Sequence, residues 1–201
     1  MQVVKSHEKG NAMTTRKPFA DQELLDFSGE HLFYEFRMFR EVSNAIPCHE
    51  GPVKNALIES FAIHLRNLID FFYPPEDGQI RSDDVFAGDF FDLPEIRYLD
   101  TIPSSLRGAR ERANKEISHI TCKRKAGADA AKAWSVSDLF KEIQEISNKF
   151  AAKASSKKLH TNVTKLLKDG PEIMAVLVTN ASSSVSNPIA LGGPSSGNAP
   201  K

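Results

Sequence analysis

Cysteine is scarce, with two in 201 residues, Cys48 and Cys122. So few exclude a disulfide-stapled scaffold, which needs several bridges in a short chain. Long apolar runs are also missing. The longest candidate, Ile173 to Val178, falls far below the roughly 20 residues that cross a bilayer. Met1 to Lys17 is polar and lacks the apolar stretch of a secretory signal. The expectation is a cytoplasmic, reduced, globular protein with no membrane contact.

Several chemistries lack their signatures. Gly192-Gly193 has no strand pattern before it and no helix pattern after it, so there is no phosphate loop. No G-x-S-x-G elbow marks a serine nucleophile. Cys48-His49, His31 and the distant Cys122 do not form two closely spaced pairs of zinc ligands. Asp83, Asp84, Asp89 and Asp92 fit no calcium-loop spacing. Neither a metal nor a cofactor is expected.

What is present is apolar content and a divided charge. Thirteen Phe and 40% hydrophobic residues disfavour a disordered chain. The 26 basic and 26 acidic residues cancel, yet they are not mixed. Residues 1–20 carry four basic and one acidic, a net of +3, whereas residues 21–103 carry six and seventeen, a net of −11. Residues 104–168 carry fifteen and six, a net of +9, and residues 169–201 carry one and two. Local potential, not total charge, steers a polyanion. The basic half therefore either faces the acidic half or faces a nucleic acid.

Helical periodicity dominates the chain. From Asp21 to Ile46, Leu25, Gly29, Leu32, Phe36, Phe39, Ser43 and Ile46 recur at steps of four and three, widened by Leu24, Phe33 and Val42. Pro47 and Gly51-Pro52 end that helix. A second runs from Val53 to Phe72 on Val53, Leu57, Phe61, His64 or Leu65, Leu68 and Phe72, and Pro74-Pro75 stops it. Residues 73–103 hold the acidic-aromatic string Asp83 to Asp92 and read as an ordered cover between helices two and three, since structureless loops of that length are uncommon. The third helix starts near Ser104 and buries Leu106, Ala109 or Arg110, Ala113, Ile117 and Ile120. Beyond the basic turn Lys123 to Lys132, Ser135 and Asp138 suggest a capping box for a fourth helix on Val136, Leu139 or Phe140, Ile143, Ile146 and Phe150.

These stripes predict an all-α fold, a four-helix bundle over residues 21–154. Residues 1–20 are expected to be a flexible lead-in. Residues 155–181 read as a short basic helix, marked by Leu159, Val163 and Leu166, or a docking segment, and 182–201 as a disordered tail rich in Ser, Gly, Pro and Asn.

The third helix carries the candidate chemistry. Arg112 and His119 are seven residues apart, two turns at 3.6 residues per turn, which on a regular helix sets them within about 20° of one another. Such a pair has the parts for cutting RNA: imidazole moves a proton while guanidinium holds the scissile phosphate. RNA brings its own 2′-hydroxyl nucleophile. The competing reading is an Arg and a His on a solvated face, with Glu116 one turn from Arg112 as its partner. His64, on the buried stripe, is expected to be a hydrogen-bonded core histidine. His31 is expected to pair structurally with Glu30 or Glu35.

Two blocks add a resemblance. Asn55 to Tyr73 (NALIESFAIHLRNLIDFFY), followed by Asp83-Asp84-Val85-Phe86 and by Asn114 to Thr121 (NKEISHIT), is similar to a group of uncharacterised bacterial helical proteins. Their later block resembles the HEPN superfamily, over about residues 21–150 here. That resemblance implies a four-helix domain, homodimerisation and, in active members, metal-independent RNase activity of toxin or defence type. It implies His119 as the motif histidine and Arg112 as the motif arginine, with six residues between. Asn114 resembles the polar residue that follows the motif arginine, with Ala113 where the arginine would then stand, and Arg66-Asn67 offers a displaced guanidinium. The leading expectation is thus an RNase site at Arg112 and His119, supported by Asn114 and Arg66. The alternatives are a non-catalytic interaction or regulatory module, in which these residues hydrogen-bond within the bundle and Arg66 reaches the acidic residues of 83–92, and nucleic-acid binding without cleavage.

Overall fold

A computed structural model describes residues 16–74, 80–93, 99, 101–117 and 133–168. Among the described residues the fold is all-α, without strands. No described helix is long and apolar enough to cross a membrane. His119, Ile120, Cys122, Ile173 to Val178 and the 182–201 tail lie outside the described residues.

The first predicted helix is a continuous rod in four parts: α1 (Asp21–Phe27), a π-turn (Ser28–Leu32), α2 (Phe33–Ala45) and a closing 3-10 turn (Ile46–Cys48). Its start is acidic, as the helix dipole favours, and the Ala20 amide donates to Glu23 Oε2 at 2.7 Å. Its α-helical part ends at Ala45, just before Ile46-Pro47, as expected, and the 3-10 turn closes it at Cys48. The buried line begins on Leu24 and Ser28 rather than on Leu25 and Gly29, which are half-buried. The π-turn is the reason. Its i to i+5 bonding adds a residue to the turn, so the spacing of four through Leu24, Ser28, Leu32 and Phe36 stays on one line, where regular 3.6-residue turns drift.

The π-turn is also a docking point. Ser28 Oγ lies 2.9 Å from Leu25 O and 3.2 Å from Lys158 O, both acceptors for its proton, and it accepts the His160 amide at 2.9 Å. Gly29 stands so close to His160 that a Cβ there would lie 3.2 Å from the ring. A side chain larger than glycine's would push the incoming segment away.

Gly51, at φ 59°, makes the turn into α3 (Gly51–Phe72), and Pro52 follows in its first turn. The buried face of α3 begins at Phe61. Val53, expected in the stripe, is 53% exposed because the first turns of α3 overhang the core. A 3-10 turn (Ala87–Phe90) carries the cover. Then come α4 (Ser104–Arg112), a second π-turn (Ala113–Ile117), α5 (Val136–Lys153) and α6 (Thr161–Lys168). Ser135 occupies the position before α5, but its hydroxyl makes no capping bond, so the predicted box is not formed; its carbonyl accepts the Asp138 and Leu139 amides instead.

Helix α2 packs on α3, α5 and α6, and α3 packs on α4 and its π-turn. Two aromatic groups fill the interior. Phe71, Phe72, Phe90 and Phe91 surround Phe150, while Phe39 stacks on Phe61 and Phe140 at 5.2 and 5.5 Å. Leu159, Val163 and Leu167 join the same core, with Leu166 half-buried. Residues 155–168, read as a short basic helix or docking segment, include the short helix α6 and pack on this core. Residues 16–20, the end of the segment expected to be flexible, are likewise attached, with Arg16 paired to the buried Asp89.

Candidate functional site

The outer side of α3 carries Arg66 and Asp70, one turn apart. The facing side of α4 and its π-turn carries Arg110 and Asn114. Packing of α3 on α4 joins all four. Arg110 Nη2 lies 2.7 Å from Asp70 Oδ1, and Arg66 Nε lies 4.0 Å from Asp70 Oδ2. Arg66 Nη1 donates to Asn114 Oδ1 at 3.2 Å. The two supporting residues read from the sequence, Arg66 and Asn114, thus do meet. Arg66 takes Asp70 and Asn114 as partners, not the acidic residues of 83–92, two of which are engaged elsewhere. Asp84 Oδ2 accepts the Arg81 amide and Asp89 binds Arg16.

Asp70 is the electrostatic centre of this set. Burial disfavours its carboxylate and raises its pKa above the ordinary aspartate value; the guanidinium charges of Arg110 and then Arg66 oppose the rise, and Asp84 adds to it. A carboxyl whose folded pKa exceeds its unfolded value of about 3.9 binds its proton more readily in the folded state. Its contribution to stability therefore falls as pH climbs from about 3.9 through the folded pKa, and is constant above it. The Asp70 Cγ resonance should titrate above the ordinary aspartate midpoint in a carbon-13 NMR titration. A midpoint at or below about 3.9 would contradict the assignment of burial as the dominant influence.

Arg112 lies apart from this set. Its guanidinium carbon sits 4.4 Å from the centroid of the Trp134 ring, and its Nη1 donates to Ala133 O at 3.0 Å. Trp134 meets Phe61 edge-on at 6.2 Å, which ties Arg112 to the second aromatic group. A guanidinium over an indole face is held by the ring quadrupole as well as by its hydrogen bond. In this position Arg112 fastens the segment that leads into α5 to the end of α4.

The second π-turn bears on the expected pairing with His119. Residues 113–117 form a wider turn immediately after Arg112, so 3.6-residue arithmetic does not apply across the seven-residue step. The premise of an uninterrupted helix is corrected; the position of His119 lies outside the described residues, as does the side chain of Glu116.

The remaining histidines resolve differently. His64 is buried, and its Nδ1 is 2.8 Å from Glu35 Oε2, while Asn67 Nδ2 donates to Glu35 Oε1 at 3.3 Å. His64 is the hydrogen-bonded interior histidine that its place on the stripe predicts. Glu35 is consequently shared with α3, and His31 packs beside the Phe27 ring at 5.4 Å instead. Among the described residues no group of three or more His, Cys, Asp or Glu side chains could hold a metal ion.

The Asp70–Arg110 pair is the part that sequence reasoning missed. The i to i+4 spacing of Arg66 and Asp70 was a usable signal for half of it. Arg110 carried no such signal, since its partner lies on another helix. No family model matches the chain, and neither a curated protein nor a solved structure matches it.

Proposed function

We propose that the chain is a HEPN-like four-helix bundle that acts as a non-catalytic interaction or regulatory module, forming a homodimer. Arg66, Arg112 and Asn114 serve in it as residues that lock helices together. The observation that carries this reading is the engagement of Arg112: its guanidinium covers Trp134 and its N–H bonds Ala133 O. A catalytic arginine must present its donors to the position of a scissile phosphate. Arg112 instead gives its Nη1 donor to Ala133 O and its ring-facing surface to Trp134, both of which fasten the start of α5.

RNA cleavage by Arg112 and His119 is the second reading. It is favoured by the meeting of Arg66 and Asn114 at 3.2 Å on an exposed edge, on the side from which a displaced guanidinium would be supplied. One experiment separates the two. Purified protein and its His119→Ala variant are incubated with mixed RNA in the absence of divalent metal. Intact RNA with both proteins is expected, and cleavage by the wild type that the variant loses overturns the proposal. Retention of RNA that weakens steeply with salt would identify binding without cleavage. In parallel, Arg112→Ala should lower the unfolding free energy by about 1–2 kcal/mol in urea titrations. An unchanged midpoint removes the structural role. Light scattering tests the homodimer directly.

A further inference from the structure

The Arg16 guanidinium occupies a prepared site. Its side chain is 6% exposed and that of Asp89 is 7% exposed. Arg16 pairs with Asp89 Oδ1 and donates to Asp84 O. The Phe86 ring lies 5.3 Å from its guanidinium carbon, and Phe19, three residues along the same segment, lies at 4.9 Å.

The receiving side is organised without Arg16. Phe86 N donates to Asp89 Oδ2 at 2.8 Å and Asp89 N donates to Phe86 O at 3.0 Å, which leaves Oδ1 for the guanidinium. Behind the turn, Lys158 Nζ donates to Asp89 O at 3.1 Å and to Phe91 O at 2.5 Å, and Ser155 N donates to Phe90 O at 2.8 Å. Everything that receives the guanidinium therefore lies between Asp84 and Asp89 and is braced from the loop after α5. Among the described residues, Arg16 and Phe19 are held to the rest of the molecule by this contact and the partly buried Phe19 ring, with Ala20 bonded to the first turn of α1.

We propose that the acidic cover is an arginine socket, filled in cis by Arg16, and that residues 16–20 form a strap that an arginine-bearing peptide displaces in trans. The chemistry suits an arginine. A planar fork satisfies a carboxylate and a carbonyl at once and lies against aromatic rings, whereas an ammonium is a single point donor. The buried Asp89 carboxylate is costly without a cation beside it, so an emptied socket favours any guanidinium that reaches it. Tethering gives the native strap an effective concentration in the millimolar range, and a free peptide competes poorly until the strap is weakened.

The test uses the full chain carrying Arg16→Ala and a synthetic peptide of residues 14–21, with a second peptide bearing the same Arg16→Ala change. Calorimetry should show the native peptide binding the variant chain at least about tenfold more tightly than the altered peptide, and at least about tenfold more tightly than it binds the wild-type chain. Equal binding of the two peptides, or no binding to a variant with native circular dichroism, overturns the proposal. Should Arg16→Ala not fold, Arg16→Lys keeps the charge and loses the fork. Amide exchange at Phe86 and Asp89 should then run at least about tenfold faster than in the wild type and slow again on addition of the native peptide. Exchange that the substitution and the peptide both leave unchanged overturns it equally.

Discussion

Phe150→Ala should destabilise the fold by about 3–5 kcal/mol. Phe150 is fully buried. Phe71, Phe72 and Phe90 meet it at centroid distances of 5.4, 5.9 and 5.7 Å and at interplanar angles of 87°, 71° and 88°. These are edge-to-face contacts, each worth about 0.5–1.5 kcal/mol beyond the area it buries. The rings come from α3, the cover and α5, so they cannot close on the hole together without moving three elements. Since the whole unfolding free energy of a domain is about 5–15 kcal/mol, the variant should unfold at a much lower urea concentration. Phe140→Ala is the control: that ring is half-buried and its loss should cost less. A Phe150→Ala midpoint within error of the Phe140→Ala midpoint would show that the cluster is not the centre of the core.

Lys158→Met should cost about 2–4 kcal/mol, although methionine approximates the lysine stem in length. Lys158 is 7% exposed, and its ammonium holds the carbonyls of Asp89 and Phe91. The carboxylate of Asp21 lies 3.9 Å away. Methionine restores the packing of the stem and leaves two buried carbonyls without a donor, and an unmade buried hydrogen bond costs more than a made one contributes. The loss should be localised. Amide exchange should accelerate at Phe91 and Ser155, whose amides bond within and onto the cover, before it does so in α3. A variant as stable as the wild type would mean that water replaces the ammonium, and the cover would then not depend on the C-terminal part of the chain.

The helices were legible because their signal is local. Phe36, Phe39, Leu65, Leu68, Ile143 and Phe150 lie on faces that any reader of a 3.6-residue period would mark, and the prolines at 47 and 74 stop the helices where they should. The π-turns were not legible. The first is bonded at Ser28 by Lys158 and His160, residues that lie far along the chain. The candidate site followed the same division. The residue types Arg66, Arg112 and Asn114 could be named in advance, but which guanidinium meets which partner depended on helix packing. Arg66 found Asn114 across α3 and the second π-turn, while Arg112 turned to Trp134.

The sequence by itself determined an all-α chain and a charge divided between an acidic first half and a basic second half, because both are properties of consecutive residues. Only the tertiary structure decided how far the two halves face each other. Arg110 meets Asp70, and Lys158 reaches the cover and Asp21. Attraction between opposite charges needs separations of a few ångströms to matter against the screening of water and salt, and separations of that kind are set by the packing of helices and not by the order of residues.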